Sequence, residues 1–277
     1  MSQTPSKPES KPTDDSLQAP GAQTLRRGLA VLKLLARISP RGLRVSDIGR
    51  QLGLNKATAI RLTHALVEEK FLVFDDATRA YRLGPEAFAV GLAAEPSYAL
   101  QRLSAPHLRA LALETGDWVY FSVPNGYEVI CISRETGNIP IPRDALKVGD
   151  RHPVGIGAGG VAILAAWPDA DRDAALAANA AVIERDFPRC GVTVIRELVR
   201  QTRERGYSEI PGLIVRDYWA IGVALSRANG RPEAAITLVA SGQRLPAARR
   251  QALGERMIRL GRDLMEAAAS PAGDHVS

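Results

Sequence analysis

Apolar residues in the first quarter of the chain recur at helical spacing. "TLRRGLAVLKLLARI" places Leu25, Leu29, Leu32 and Leu35 three or four residues apart, predicting an amphipathic first helix with these leucines inward. Pro40 and Gly42 in "SPRGL" break it. "VSDIGRQLG" predicts a short second helix that Ser46 caps, Gly53 ends, and Ile48 and Leu52 anchor to the core. Asn55 caps a third helix after a connection of about three residues, which is helix-turn-helix spacing. On a wheel of roughly 100° per residue, Ala59, Leu62, Thr63 and Leu66 form its core side. Ala57, Ile60, Arg61 and His64 lie opposite, with Lys56 and Thr58 flanking the first turn. Two β-prone runs, 71–74 and 80–83, then flank a polar turn containing Arg79, as in a hairpin. Three helices followed by a hairpin describe a winged helix-turn-helix domain.

The pattern changes beyond Pro85. "PEAFAVGLAA" predicts a short helix exposing Phe88, Val90 and Leu92, and so brief an apolar helix needs a partner. After Glu95-Pro96 a longer helix turns Leu103, Leu108 and Leu111 inward, with Pro106 kinking it or starting its second half. "DWVYFSVPNGYEVICISR" reads as two strands around an Asn-Gly turn, and "WAIGVALSRANGRPEAAITLVAS" repeats the device. Between them lie a loop, a helix starting near Gly160, and a helix over roughly 191–205. A last amphipathic helix carries Leu253, Met257, Leu260 and Leu264. Hairpins separated by helices predict an α+β domain, an antiparallel sheet flanked by helices.

Length and charge sharpen this division. A chain of 277 residues accommodates two domains. The expected boundaries are a disordered tail over 1–21, the winged helix-turn-helix over 22–84, a linker helix over 85–97, the larger domain over 98–270 and a short tail over 271–277. The amino-terminal segment has four prolines, mixed charges and no apolar core, so it does not read as a signal peptide. No run of 18 apolar residues suggests a membrane span. Cys131 and Cys190 lack metal or disulfide spacing, which fits a reducing cytoplasm and no metal or cofactor. The formal net charge is +6, and residues 22–84 hold twelve Lys/Arg against five Asp/Glu, whereas 85–277 is balanced. A cationic surface confined to one small domain is the footprint of a polyanion binder.

The third helix supplies matching chemistry. Its outward face is short-chained at the start, allowing close approach to a groove floor. Arg61 has the fork geometry for guanine O6 and N7, and Ile60 suits a thymine methyl. Lys56, Thr58 and the first-turn amides suit phosphates. Arg44, Ser46, Ala57 and His64 complete the candidate DNA-contacting set, with Arg79 on the wing either reaching DNA or standing as a solvated turn residue. A solvated amphipathic face is the plainer alternative; local charge and the preceding short helix weigh against it.

In the larger domain "HPVGIGAGGVAILAAW" brings Gly155, Gly157, Gly159 and Gly160 to a helix start. The spacing departs from G-x-G-x-x-G and no βαβ unit surrounds it, so a dinucleotide is not expected. Bare N–H groups at a helix start suit a carboxylate, and tight helix–sheet packing is the alternative use of such glycines. There is no G-x-S-x-G, HExxH or P-loop; a Cys131–His152 pair is conceivable, but Cys131 lies in an apolar strand.

"TLRRGLAVLKLLA", "VSDIGRQLGLNKATAIRLTHALVEEKFLV" and "RAYRLGPEAFAVG" resemble the amino-terminal domain of the IclR family of bacterial transcriptional regulators, and the resemblance extends from about residue 24 to the carboxyl end. The family's reading helix starts Pro-Lys-Ser-Thr and continues with an Arg-Leu pair; this chain has Asn55, Lys56, Ala57, Thr58, then Arg61 and Leu62. The resemblance implies a linker helix that helps subunits associate, a GAF-like effector-binding domain, and an effector pocket lined by the glycine loop, Gly157, Ala158, Gly159 and Gly160. Relatives often carry a small hydroxyl residue at the place of Gly157, a lysine at Val161 and a cysteine at Ala220. Ser241 matches a family serine and Val239 replaces another. With Tyr120, Trp118 and Trp219 nearby in sequence, these losses point to a larger, less polar effector such as an aromatic acid; simple core filling is the alternative for each aromatic. The resulting expectation is a homodimeric or tetrameric regulator, not an enzyme, that binds operator double-stranded DNA under control of a small organic acid. A non-specific nucleoid-type binder and an enzyme using the Gly155–Gly160 loop are the competing readings.

Overall fold

In a computed structural model the described residues are 20–38, 42–94, 99–140, 146–227 and 230–269. The chain divides into two compact units, Met1–Ala94 and Glu95–Ser277. Expectations for residues 1–19, Pro40, Glu95-Pro96, Asn229 and 271–277 fall outside the described residues. Among those described, no helix is long and apolar enough to cross a membrane.

The first unit opens with α1 (Pro20–Ile38), so the last two residues of the expected tail are helical. The buried stripe of α1 is Val31, Leu34 and Leu35, while Leu25 and Leu29 are 63% and 45% exposed. The four-leucine stripe is therefore corrected by a rotation that sends its first two members to the surface. Helix α2 (Val45–Leu52) begins one residue before Ser46; Arg44 is its N-cap and supplies no side-chain cap. Ser46 is thus a helical residue, not the cap expected of it. Gly53 ends α2 in the left-handed region at φ 62°, a conformation that costs other residues energy. Asn55 caps α3 (Lys56–Glu68), its Oδ1 accepting from the Thr58 amide at 2.8 Å.

Strands β1 (Leu72–Asp75) and β2 (Ala80–Leu83) pair antiparallel. Leu43 exchanges two backbone hydrogen bonds with Tyr81, adding a bridge beside β2. Ile48, Leu62, Leu72 and Tyr81 join the α1 stripe in one core. Helix α4 (Pro85–Ala94) has no buried residue, and Phe88, Val90 and Leu92 are all more than half exposed.

The second unit is a six-stranded antiparallel sheet in the order β5-β4-β3-β8-β7-β6. Its strands are β3 (Trp118–Asn125), β4 (Glu128–Glu135), β5 (Arg151–Pro153), β6 (Ser208–Pro211), β7 (Tyr218–Ser226) and β8 (Pro232–Ser241). The first hairpin turns on Gly126-Tyr127, because Asn125 already pairs with Glu128; the Asn-Gly turn is shifted by one residue. Gly126 takes the positive φ that the tight turn requires.

Alternation along the strands sends side chains to two cores. Val119, Phe121, Ile221, Val223, Ile236 and Leu238 pack with α5 (Ala99–Thr115) and α9 (Ala247–Ala269). On α5 Leu108 and Leu111 are buried, but Leu103 is 38% exposed, where an inward position was expected. The opposite face packs against α6 (Gly157–Ala166), α7 (Asp169–Asp186) and α8 (Val192–Arg205). Helix α6 starts three residues before the expected Gly160, and α7 was not anticipated. Asp117, 1% exposed, accepts from Arg244 at 2.9 Å and from Arg249 at 2.7 Å, tying the start of β3 to the α9 end of the unit.

Candidate functional sites: the third helix and the glycine-lined cavity

In the first unit the wheel positions of α3 separate as expected. Ala59, Leu62 and Thr63 are buried. Thr63 Oγ1 donates to the Ala59 carbonyl at 2.9 Å, which satisfies its hydroxyl inside the core. Lys56, Ala57, Arg61 and His64 are exposed, while Thr58 and Ile60 are half-buried. Neither Arg61, Lys56 nor His64 forms an ion pair or hydrogen bond with another side chain among the described residues. The α3 first turn contains no acidic residue, so its positive dipole end is not neutralised. The Lys56 and Ala57 amides remain for an incoming anion, since Asn55 takes that of Thr58.

Arg44 and Ser46 are exposed at the start of α2. Arg79 adopts φ 56° at the wing turn. Its guanidinium lies 5.0 Å from the Phe74 ring centroid and 3.6 Å from Asp76. It is an exposed turn residue folded onto its own hairpin.

In the second unit a cavity of about 120 Å³ opens at the start of α6. Gly157, Ala158, Gly159 and Gly160 line one end. Ile156 is the N-cap and offers no side-chain cap, so the amides of Gly157, Ala158 and Gly159 have no partner among the described residues. Close packing fixes this end. Gly222 of β7 lies so near that an added Cβ would sit 2.4 Å from the Ala158 carbonyl carbon, and the Ser208 hydroxyl donates to the Ala158 carbonyl at 2.7 Å. The loop glycines divide their work. A Cβ on Gly159 would meet Thr237 Oγ1 at 2.6 Å, a packing constraint; Gly157, at φ 71°, has nothing within 4 Å of such a Cβ. Gly159 is thus held by packing, whereas Gly157 faces open space.

Beyond the loop, Ala220 and Val239 line the sheet side together with Tyr120, Ser122 and Thr237. Cys131 and His152 line it too, bringing that suggested pair to one wall. Burial pushes the Cys131 thiol up to about 12, with Asp150 adding to the effect against Arg134. No thiolate nucleophile is therefore present near neutral pH. Both cysteines are free and buried.

Two expected pocket residues are placed differently. Ser241 is not among the cavity's lining residues; it sits at the far end of β8. Trp219 borders the cavity, yet its ring packs with the α5/α9 core under the Arg250 guanidinium, 4.0 Å away. Trp118 is also outside, donating its indole N–H to the Ile139 carbonyl at 2.8 Å. Ser122 and Thr237 were missed. Thr237 shares strand parity with Val239, and that alternation was the available signal.

Two family models match the chain: "IclR helix-turn-helix domain" over residues 24–76 and "Bacterial transcriptional regulator IclR C-terminal" over residues 95–266. The chain belongs to the IclR family. It is a transcriptional regulator with a DNA-binding helix-turn-helix and an α+β carboxyl-terminal domain. The HTH-type transcriptional repressor AllR of Escherichia coli (strain K12) is 28% identical over 250 residues, covering 89% of this chain and 90% of its own. The DNA-binding transcriptional repressor YiaJ of the same strain is 29% identical over 148 residues, about half of either protein at 53% and 52%. Among solved structures, an IclR homologue complexed with 4-hydroxybenzoate from Microbacterium hydrocarbonoxydans superposes with TM-score 0.72 at 22% identity, covering 88% of this chain and 99% of that one. At that identity the likeness is one of fold.

Proposed function

We propose that this IclR-family regulator reads a specific operator with the exposed face of α3, and that a small, largely apolar organic acid in the α6 cavity controls that reading. The observation that carries the DNA half is α3 itself: Arg61 stands outward without a side-chain partner among the described residues, on a helix whose first turn is slim and uncompensated by acid. Arg61 forks onto guanine, Ile60 and Ala57 approach base edges, and Lys56, Thr58 and the free amides hold phosphates. Arg44, Ser46 and His64 extend the same surface. Arg79 joins only by leaving Phe74.

The working division is a DNA-binding domain over 22–84, a linker helix over 85–97 and an effector domain over 98–270. The protein acts in the cytoplasm as a homodimer or dimer of dimers, an arrangement supported by the exposed apolar face of α4. The effector's carboxylate meets the amides of Gly157, Ala158 and Gly159 at the positive end of α6, beside Thr237. The cavity of about 120 Å³, against roughly 150 Å³ for one that admits a benzene, limits the ligand to a single ring or a short chain. The neighbour solved with 4-hydroxybenzoate holds an acid of that size. Selection of bound pieces from sheared genomic DNA tests the DNA half. Enrichment of a few fragments supports sequence-specific recognition; uniform capture assigns the chain to non-specific binding. Thermal melting against aromatic and aliphatic acids tests the cavity, since a ligand of the native state raises the midpoint.

A further inference from the structure

The loop that joins β6 to β7 forms one wall of the cavity. Ile214 and Val215 line the cavity yet remain half-buried, so here a single thickness of chain stands between it and solvent. Both ends of the loop are left-handed, at φ 57° for Gly212 and 65° for Asp217. Its base is pinned by the Gly212 amide, which donates to the Tyr218 carbonyl at 2.8 Å, and by the Asp217 carbonyl, which accepts from the Gly242 amide at 2.8 Å. Above that base the amides of Leu213, Ile214 and Val215 have no backbone partner among the described residues.

The tip is held from outside. Arg189, in the short turn Pro188–Cys190 after α7, donates from Nη1 to the Gly212 carbonyl and from Nη2 to the Ile214 carbonyl, each at 3.1 Å. One planar guanidinium thus spans two carbonyls of the same loop, a fit that a lysine ammonium does not reproduce. Arg189 forms no ion pair among the described residues, so no carboxylate competes for it. Leu213 and Ile214 add partial burial against the α6–α8 core. Hydrogen bonds from an exposed guanidinium contribute modestly, because water offers it the same bonds. The loop is therefore shut at rest but cheap to open, with turning points available at its left-handed ends.

We propose that Gly212–Asp217 is a gate over the cavity and that Arg189 is its latch: release of the two carbonyls lets the loop swing out, and the occupant passes there. That the occupant is an effector rests on the reading of the cavity given above. The gate itself is testable without any effector.

Cys131 lines the cavity and is 1% exposed, and Cys190 is the only other cysteine. In a full-length Cys190→Ala background, labelling by methyl methanethiosulfonate, a small neutral thiol reagent, therefore reports entry to the cavity. Arg189→Met should speed labelling of Cys131 about tenfold, and Arg189→Lys by less. Arg185→Met removes an ion pair with Asp186 near the same end of α7 and should leave the rate within about twofold. Opening one loop exposes little surface, so the faster labelling should be nearly insensitive to urea below the unfolding transition. An unchanged rate in Arg189→Met overturns the gate, whatever the acids do in thermal melting. So does an equal acceleration in Arg185→Met, or an acceleration that climbs steeply with low urea, since the whole unit would then be opening. If the rates behave as stated and no acid binds, the gate stands and the effector reading fails.

Discussion

Gly222→Ala probes the contact that positions the cavity's amide end. The new Cβ would sit 2.4 Å from the Ala158 carbonyl carbon, 2.5 Å from its oxygen and 2.8 Å from the Gly159 nitrogen, whereas ordinary contact begins at 3.4 Å. Relief needs a movement of about 1 Å between α6 and β7, and the obstacle is backbone on both sides. Overpacking of this kind costs about 1–3 kcal/mol, and the rigid neighbours place this case near about 3. Gly157→Ala is the control: its φ of 71° strains an alanine, but nothing lies within 4 Å of the added carbon. That substitution should cost about 1 kcal/mol. Trp118, Trp167 and Trp219 all fall in the second unit, so tryptophan fluorescence in a urea titration follows this unit alone. The expected order of midpoints is wild type, then Gly157→Ala, then Gly222→Ala well below. A Gly222→Ala midpoint at or above that of Gly157→Ala would refute the claim that close packing at β7 holds the α6 start.

Other consequences follow from single contacts. Asn55→Ala removes the cap on α3 and should cost about 1 kcal/mol, read as roughly fivefold faster hydrogen exchange at the Thr58 amide; unchanged exchange would remove Asn55 from that role. Asp117→Ala strips two arginines of their shared carboxylate. It should cost about 2 kcal/mol in the same urea titration, less than a fully buried pair because Arg244 and Arg249 stay about a third exposed. Cys131 has its thiol pKa raised from 9.0 to about 12 on folding. Its contribution to stability is complete below pH 9 and is lost as pH climbs toward 12, because the unfolded thiol ionises first. The urea midpoint should therefore fall between pH 8.5 and about 11, and Cys131→Ala should flatten part of that decline.

The parts legible in the sequence were those set by local chemistry. Asn55 and Gly53 could be read because a cap and a left-handed terminus are decided within a few residues. The two faces of α3 were readable because 3.6-residue periodicity alone separates Leu62 from Arg61. Where tertiary packing chose between near-equal options, sequence pattern failed. Leu25 and Leu29 lie more than about 100° around the helix from the Val31/Leu34/Leu35 stripe, so α1 offered two apolar faces and the core selected one. Helix α7, rich in alanine with scattered Asp and Asn, shows little amphipathic signal, and α6 begins with glycines that are poor helix formers. In the cavity, Thr237, Val239 and Ser241 share strand parity, but the place where the α6 start meets β8 brings Thr237 into the lining and leaves Ser241 out. Trp219 illustrates the same limit: adjacency to Ala220 in sequence put its ring on the opposite face of the sheet.

In the proposed mode of action, Arg61 on α3 discriminates between operator sequences. The direct measurement is the affinity ratio between a selected genomic fragment and random duplex, at two salt concentrations, for the wild type and Arg61→Ala. Loss of a bidentate base contact should reduce that ratio by about 1–3 kcal/mol, roughly 5- to 150-fold, while salt-sensitive binding to random DNA persists. A ratio unchanged by Arg61→Ala would contradict the account.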